Sequence, residues 1–205
     1  MKEQRNCNYE LRSESRTVEG YALVFDKESR DLGGFIEIID PSSLDGVIEK
    51  SDILCLLNHN EDKGVLARSK FGVGSLSLLV DETGLKYRFE APDTALGNEL
   101  LEGLKRGDIT TSSFAFTIDS DKWEKRADGK YLRRITKFKE LFDVSPVYKE
   151  AYPDTSVACR KMQELNTEEL KEYYQTLEKD YNGHFDFDRP KGTIKKEGRG
   201  IDYQC

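Results

Sequence analysis

Ile109-Thr110-Thr111-Ser112-Ser113-Phe114-Ala115-Phe116-Thr117-Ile118 reads as a β-strand with two unlike faces, and it decides the fold class. Alternation puts Ser112, Phe114, Phe116 and Ile118 on one side and Thr111, Ser113, Ala115 and Thr117 on the other. The Phe-Phe-Ile side must face a core. Ser113 is therefore expected to point away from it, among small residues and with open space above it. Ser112 is expected to point inward.

The flanking sequence repeats the strand signal. Thr17 to Phe25 is β-rich, with Gly20 expected at a bulge or a close backbone approach. Phe35 to Ile39 follows a Gly33-Gly34 turn, and Ile53 to Leu57 is a short apolar run suited to a buried strand. Ser75 to Val80 and Leu85 to Glu90 form a hairpin pattern around Asp81-Glu82-Thr83-Gly84. Arg133 to Phe138 and Leu141 to Val147 read as two further strands, the first joined to the Ser113 strand by a turn near Asp128-Gly129.

Helical periodicity is confined to three places. Pro41 opens a short helix through about Lys50, with Leu44, Val47 and Ile48 at helical spacing. Thr94 and Gly107 bound a helix whose Leu96, Leu100, Leu101 and Leu104 share one face. After Arg160 the composition changes. Asn166 and Glu169 form a capping box, and Leu170, Tyr173, Tyr174, Leu177 and Tyr181 make one stripe that Gly183 ends. The remaining polar, Gly-rich residues predict a mobile tail. The expectation is a mainly β, α+β domain over residues 1–160 and a C-terminal helix with tail over residues 161–205.

Net charge −7 among 205 residues, with a pI near 5.1, argues against a general nucleic-acid binder, which needs a basic face. No apolar run reaches the ~20 residues of a membrane span, and no signal-peptide pattern is seen at the start, so a cytosolic origin and no membrane partner are expected. Cys7, Cys55, Cys159 and Cys205 are widely spaced, which suits neither a disulfide framework nor a structural zinc site. No cofactor and no metal are expected.

Only His59 and His184 offer an imidazole for base chemistry near neutral pH. His59 lies where the apolar run breaks into Asn58-His59-Asn60-Glu61-Asp62, a turn from which a ring edge can reach a nucleophile. A turn histidine or a sheet serine is by itself ordinarily structural. Cys55 could pair with His59, but inside an apolar run it behaves as a small hydrophobe. Asp143, in Leu141-Phe142-Asp143-Val144-Ser145, is a carboxylate embedded in apolar sequence and needs a partner; Glu140 is the alternative orienting acid. Arg68 and Arg134 are weaker candidates for an oxyanion contact, and a surface ion pair suits them better.

Together these residues resemble the prohead (procapsid maturation) serine proteases of tailed phages, which are similar in fold to herpesvirus assemblin proteases. The resemblance is carried, in order, by Gly20-Tyr21-Ala22, Gly34-Phe35, Leu57-Asn58-His59-Asn60, Gly107-Asp108-Ile109, Ser113-Phe114-Ala115-Phe116, Asp143-Val144-Ser145-Pro146-Val147 and Ala151-Tyr152-Pro153-Asp154-Thr155. It implies a closed or nearly closed antiparallel β-barrel. It carries the base and nucleophile to His59 and Ser113, and the third member to Asp143, where relatives often have glutamate. It also implies cleavage of the scaffolding segment of the major capsid protein inside an assembling procapsid in the host cytoplasm. Autoproteolysis and self-association go with that reading, and the portal protein joins the partner set. The rivals are a catalytically idle assembly protein on the same scaffold and a nucleic-acid-binding barrel, the latter opposed by the acidic charge.

Overall fold

Two sheets share one core. The computed structural model describes residues 2–148 together with Thr167 and Glu168. In chain order its strands are β1 (Glu3–Cys7), β2 (Leu11–Glu14), β3 (Thr17–Val24), β4 (Phe35–Ile39), β5 (Asp52–Cys55), β6 (Ala67–Lys70), β7 (Val73–Gly74), β8 (Ser77–Val80), β9 (Gly84–Glu90), β10 (Thr111–Lys125) and β11 (Tyr131–Val147). One helix, α1 (Ala95–Arg106), lies between β9 and β10. The chain divides into two units, Met1–Thr155 and Ser156–Cys205, and these elements all belong to the first. The expected C-terminal helix and tail lie outside the described residues except for Thr167 and Glu168, which are helical and exposed. No helix among the described residues is long and apolar enough to cross a membrane.

The larger sheet runs β1-β10-β11-β5-β6-β7, with β4 also on β11; the smaller runs β2-β3-β9-β8. Neither closes on itself, so the expected barrel is not formed. Their apolar faces are buried against a common cluster instead, with Val18, Leu23, Leu85 and Tyr87 from one sheet and Phe114, Phe116, Phe138 and Val144 from the other. The larger sheet is also not wholly antiparallel. β11 is long enough to hold β10 along one side while β4 and then β5 pair parallel along the other.

Local chemistry explains most elements. Thr94 caps α1 by accepting from the Gly97 amide, and Gly107 ends it in the left-handed region at φ 75°. In the β8–β9 hairpin Asp81 Oδ1 accepts from the amides of Thr83 and Gly84, the turn read from sequence. Gly20 lies where a Cβ would come within 2.9 Å of the Glu10 carbonyl oxygen, and the β3 bulge follows between Tyr21 and Leu23. The helix expected from Pro41 to Lys50 is two 3-10 turns, Pro41–Leu44 and Ile48–Lys50, with Gly46 at φ 66° between them. Leu44 and Val47 are buried all the same.

Two differences from the sequence reading matter for the site. The separate strand expected over Leu141–Val147 is the second half of β11, continuous with Arg133–Phe138. Its register shifts beside the Ser113 segment: Ala115 faces Asp143, but Phe116 faces Leu141, so Phe142 is an extra residue. That bulge lets Leu141 join the core while Asp143 shares the face of Ala115.

The second difference is β1, which the sequence did not suggest. It pairs antiparallel with β10, Asn6 facing Ser113 and Arg5 facing Phe114. Its inward residues Glu3 and Arg5 are charged and buried, where strand patterning looks for apolar side chains. They are matched by other buried charges. Arg5 bonds both oxygens of Glu37, Arg133 bonds both oxygens of Glu3, and Arg133 Nε donates to Asp121 at 2.9 Å.

Candidate active site

The turn after β5 presents His59 through two successive left-handed residues, Asn58 and His59, both at φ 56°. Such backbone is costly for side chains with a Cβ, and it recurs at functional positions. The Asn58 amide, donating at 2.9 Å to the Pro146 carbonyl at the end of β11, ties the turn to the sheet. Asn60 then caps the next short turn through its side-chain oxygen.

From this turn His59 reaches two strands. Its Nδ1 lies 2.5 Å from Asp143 Oδ1, and its Nε2 lies 2.7 Å from Ser113 Oγ. The structure therefore brings together all three residues singled out in the sequence. His59 is 12% exposed and Asp143 2%. Glu140 faces Thr117, across the bulge from Asp143.

Asp143 is well provided for. Oδ1 also accepts from Ser145 Oγ at 2.8 Å, and Lys2 Nζ stands 3.5 Å from Oδ2. Burial would push this carboxyl up; the hydrogen bond and charge of His59, with Ser145 and Lys2, outweigh it and hold the carboxyl below its usual range. Ser145 and Lys2 were not picked out as partners of the acid. Ser145 follows Asp143 by two, so strand alternation could have found it. Nothing in the sequence marked Lys2.

Ser113 does not stand open as expected. It is 0% exposed, and its Oγ also lies 2.9 Å from the carbonyl oxygen of Arg5 in β1. The unforeseen strand runs directly beside it on one side, β11 on the other, with His59 against its hydroxyl. Ser112 points inward as read, hydrogen bonded to the buried Tyr87 hydroxyl at 2.8 Å. Cys55 is fully buried, and burial, then the charge of Asp143, push its thiol well above the usual range, so it stays a protonated hydrophobe. Arg68 and Arg134 form surface ion pairs, Arg68 with Asp52 and Arg134 with Asp26.

A buried carboxylate, an imidazole and a hydroxyl bonded in that order form the constellation with which serine hydrolases activate a nucleophile. The chain belongs to the caudovirus prohead serine protease family, whose model matches residues 5–168. That membership makes it a protease of phage capsid maturation. It is also similar to the solved structure of the bacteriophage T4 capsid assembly protease, gp21, at 11% identity and a TM-score of 0.44, over 73% of this chain and 97% of that one. A search of curated proteins gives no match.

Proposed function

We propose that the protein is a serine endopeptidase in which Ser113 is the nucleophile, His59 the general base and then acid, and Asp143 the carboxylate that orients the imidazole. The observation that supports it is the unbroken line Asp143–His59–Ser113, with contacts of 2.5 and 2.7 Å. Ser113 Oγ attacks the scissile carbonyl carbon while its proton passes to His59 Nε2. The same proton is delivered to the leaving amine, and water then hydrolyses the acyl-serine ester by the reverse use of His59. Asp143 keeps the Nδ1 proton in place and stabilises the imidazolium that forms.

The substrate of this reading is the scaffolding segment of the major capsid protein, cleaved inside the assembling procapsid in the host cytoplasm, with self-cleavage and self-association accompanying it and the portal protein as a further contact. Confinement there replaces intrinsic affinity with high local concentration.

Co-expression with the capsid protein tests this, comparing wild type with Ser113→Ala by gel and intact mass. Wild type should shorten the capsid protein and the alanine variant should leave it whole. Processing by the alanine variant would refute the nucleophile. An uncut capsid protein with both proteins would favour an idle assembly role.

A further inference from the structure

Ser113 is wholly enclosed, yet a peptide must reach it, and what lies against its hydroxyl is itself a peptide. The Arg5 carbonyl oxygen is 2.9 Å from Ser113 Oγ, on an extended strand paired antiparallel with the strand that carries the serine. We propose that the slot beside β10 is the substrate-binding slot of the protease and that β1 is its resident occupant. A substrate strand pairs with β10 in place of β1, with a basic side chain where Arg5 stands and an acidic one where Glu3 stands. The inference rests on the serine-protease reading above.

A proton count supports reading β1 as a blocker. Ser113 has one hydroxyl proton. With Nδ1–H given to Asp143, a neutral imidazole needs that proton at Nε2, 2.7 Å away, but the Arg5 carbonyl is within reach of the same proton. The hydroxyl also meets the oxygen of that carbonyl, whereas attack requires the carbon. A backbone held this way competes with the base for the hydroxyl proton while the oxygen stays beside the imidazole, and it is not itself cut. Lys2, the residue before β1, also reaches the acid.

Topology permits the exchange. Among the described strands β1 ends its sheet, so its departure breaks no other pairing between them, and an extended peptide can take over an exposed edge by main-chain hydrogen bonds. The floor of the slot sets the side-chain preference. When Glu3 and Arg5 leave, Glu37, Asp121 and Arg133 remain, two carboxylates and one guanidinium, all nearly buried. A replacement strand that supplies neither charge leaves these groups desolvated and short of partners, so the slot discriminates by penalty as much as by attraction. In the register of β1, the bond cut is the one after the basic residue. Ser113 Oγ bonds to that carbonyl carbon, the carbon–nitrogen bond breaks, and His59 carries the hydroxyl proton to the leaving nitrogen.

The test ties β1 down reversibly in the full chain. Gln4 faces Ala115, so Gln4→Cys with Ala115→Cys allows a cross-strand disulfide, while Ser120→Cys with Lys137→Cys joins β10 to β11 far from β1 as a control. Labelling of Ser113 by a fluorophosphonate is followed by intact mass. The oxidised β1 lock should label about tenfold slower or more than the same protein reduced, because the competent state is reached only when β1 is out. The control should label alike in both states. Equal labelling of the β1 lock, oxidised and reduced, overturns the slot and leaves the serine-protease reading intact; no labelling in any protein overturns that reading and the slot with it. An extended peptide with Glu-x-Arg before the cut should be cleaved about tenfold faster than its Arg-x-Glu counterpart, and equal rates would overturn the charge preference.

Discussion

Ser145 Oγ donates to Asp143 Oδ1 at 2.8 Å, so the oxygen that faces His59 Nδ1 is also held from its own strand two residues on. Ser145 is moreover the cross-strand partner of Ser113. On the proposed mechanism it is a positioning residue for a side chain one carbon shorter than glutamate, acting through Asp143. Ser145→Ala should lower kcat/KM roughly tenfold, the worth of one hydrogen bond to a charged group. The effect should fall on kcat, and Ser145→Thr, which keeps a hydroxyl, should recover most of it. A loss confined to KM would contradict the assignment.

On the proposed mechanism Asp143→Asn removes the charge that fixes the imidazole tautomer. Turnover of capsid protein should fall by up to ~10⁴, without vanishing, as for the equivalent change in another serine protease. Unchanged turnover would move the orienting role to Glu140.

Ser112→Ala makes the opposite case. The Tyr87 hydroxyl loses its buried partner, which should cost about 1–3 kcal/mol in chemical denaturation. Processing at permissive temperature should match wild type, since Ser112 lies on the core face.

Arg133→Met removes one of two guanidiniums that neutralise Glu3, Glu37 and Asp121. Breaking a buried ion network by one partner strands the others, so unfolding free energy should drop by about 3–5 kcal/mol. Urea titration followed by circular dichroism measures it.

Acid should destabilise the fold. Glu3, like Asp143, would be pushed up by burial, but the hydrogen bonds and charges of Arg133 and Arg5 hold it below its usual range. A carboxyl lowered by folding binds fewer protons in the native state. Its contribution is complete above the unfolded value near pH 4 and is lost as the pH falls through the folded one. The melting temperature should hold level from neutrality to about pH 5 and decline steadily below about pH 4. Asp143→Asn should make that decline shallower.

The elements legible in the sequence are those whose signals are local. Thr94 and Gly107 bound α1, Asp81 builds its hairpin, and the Phe114–Phe116 alternation orients Ser113 and Ser112. His59 was legible because imidazoles are scarce here. Elsewhere a distant partner overrode the local pattern. Strict alternation would put Leu141 and Asp143 on one face, and the bulge at Phe142, set by pairing with β10, separates them. β1 was invisible because its inward Glu3 and Arg5 find their counter-charges at Glu37 and Arg133, far along the chain. Sheet closure depends on which edges meet, and strand alternation, being local, does not report that.

The sequence distances within the site have a consequence for synthesis. His59 lies 54 residues before Ser113 and 84 before Asp143, while Arg5 lies 108 before Ser113. Contacts so far apart form slowly and only after both segments exist. On the ribosome, β11 is the last of the described strands to emerge. Until then the histidine has no acid and the serine strand lacks one of its neighbours. On the proposed mechanism the growing polypeptide therefore has no complete triad until β11 has been made.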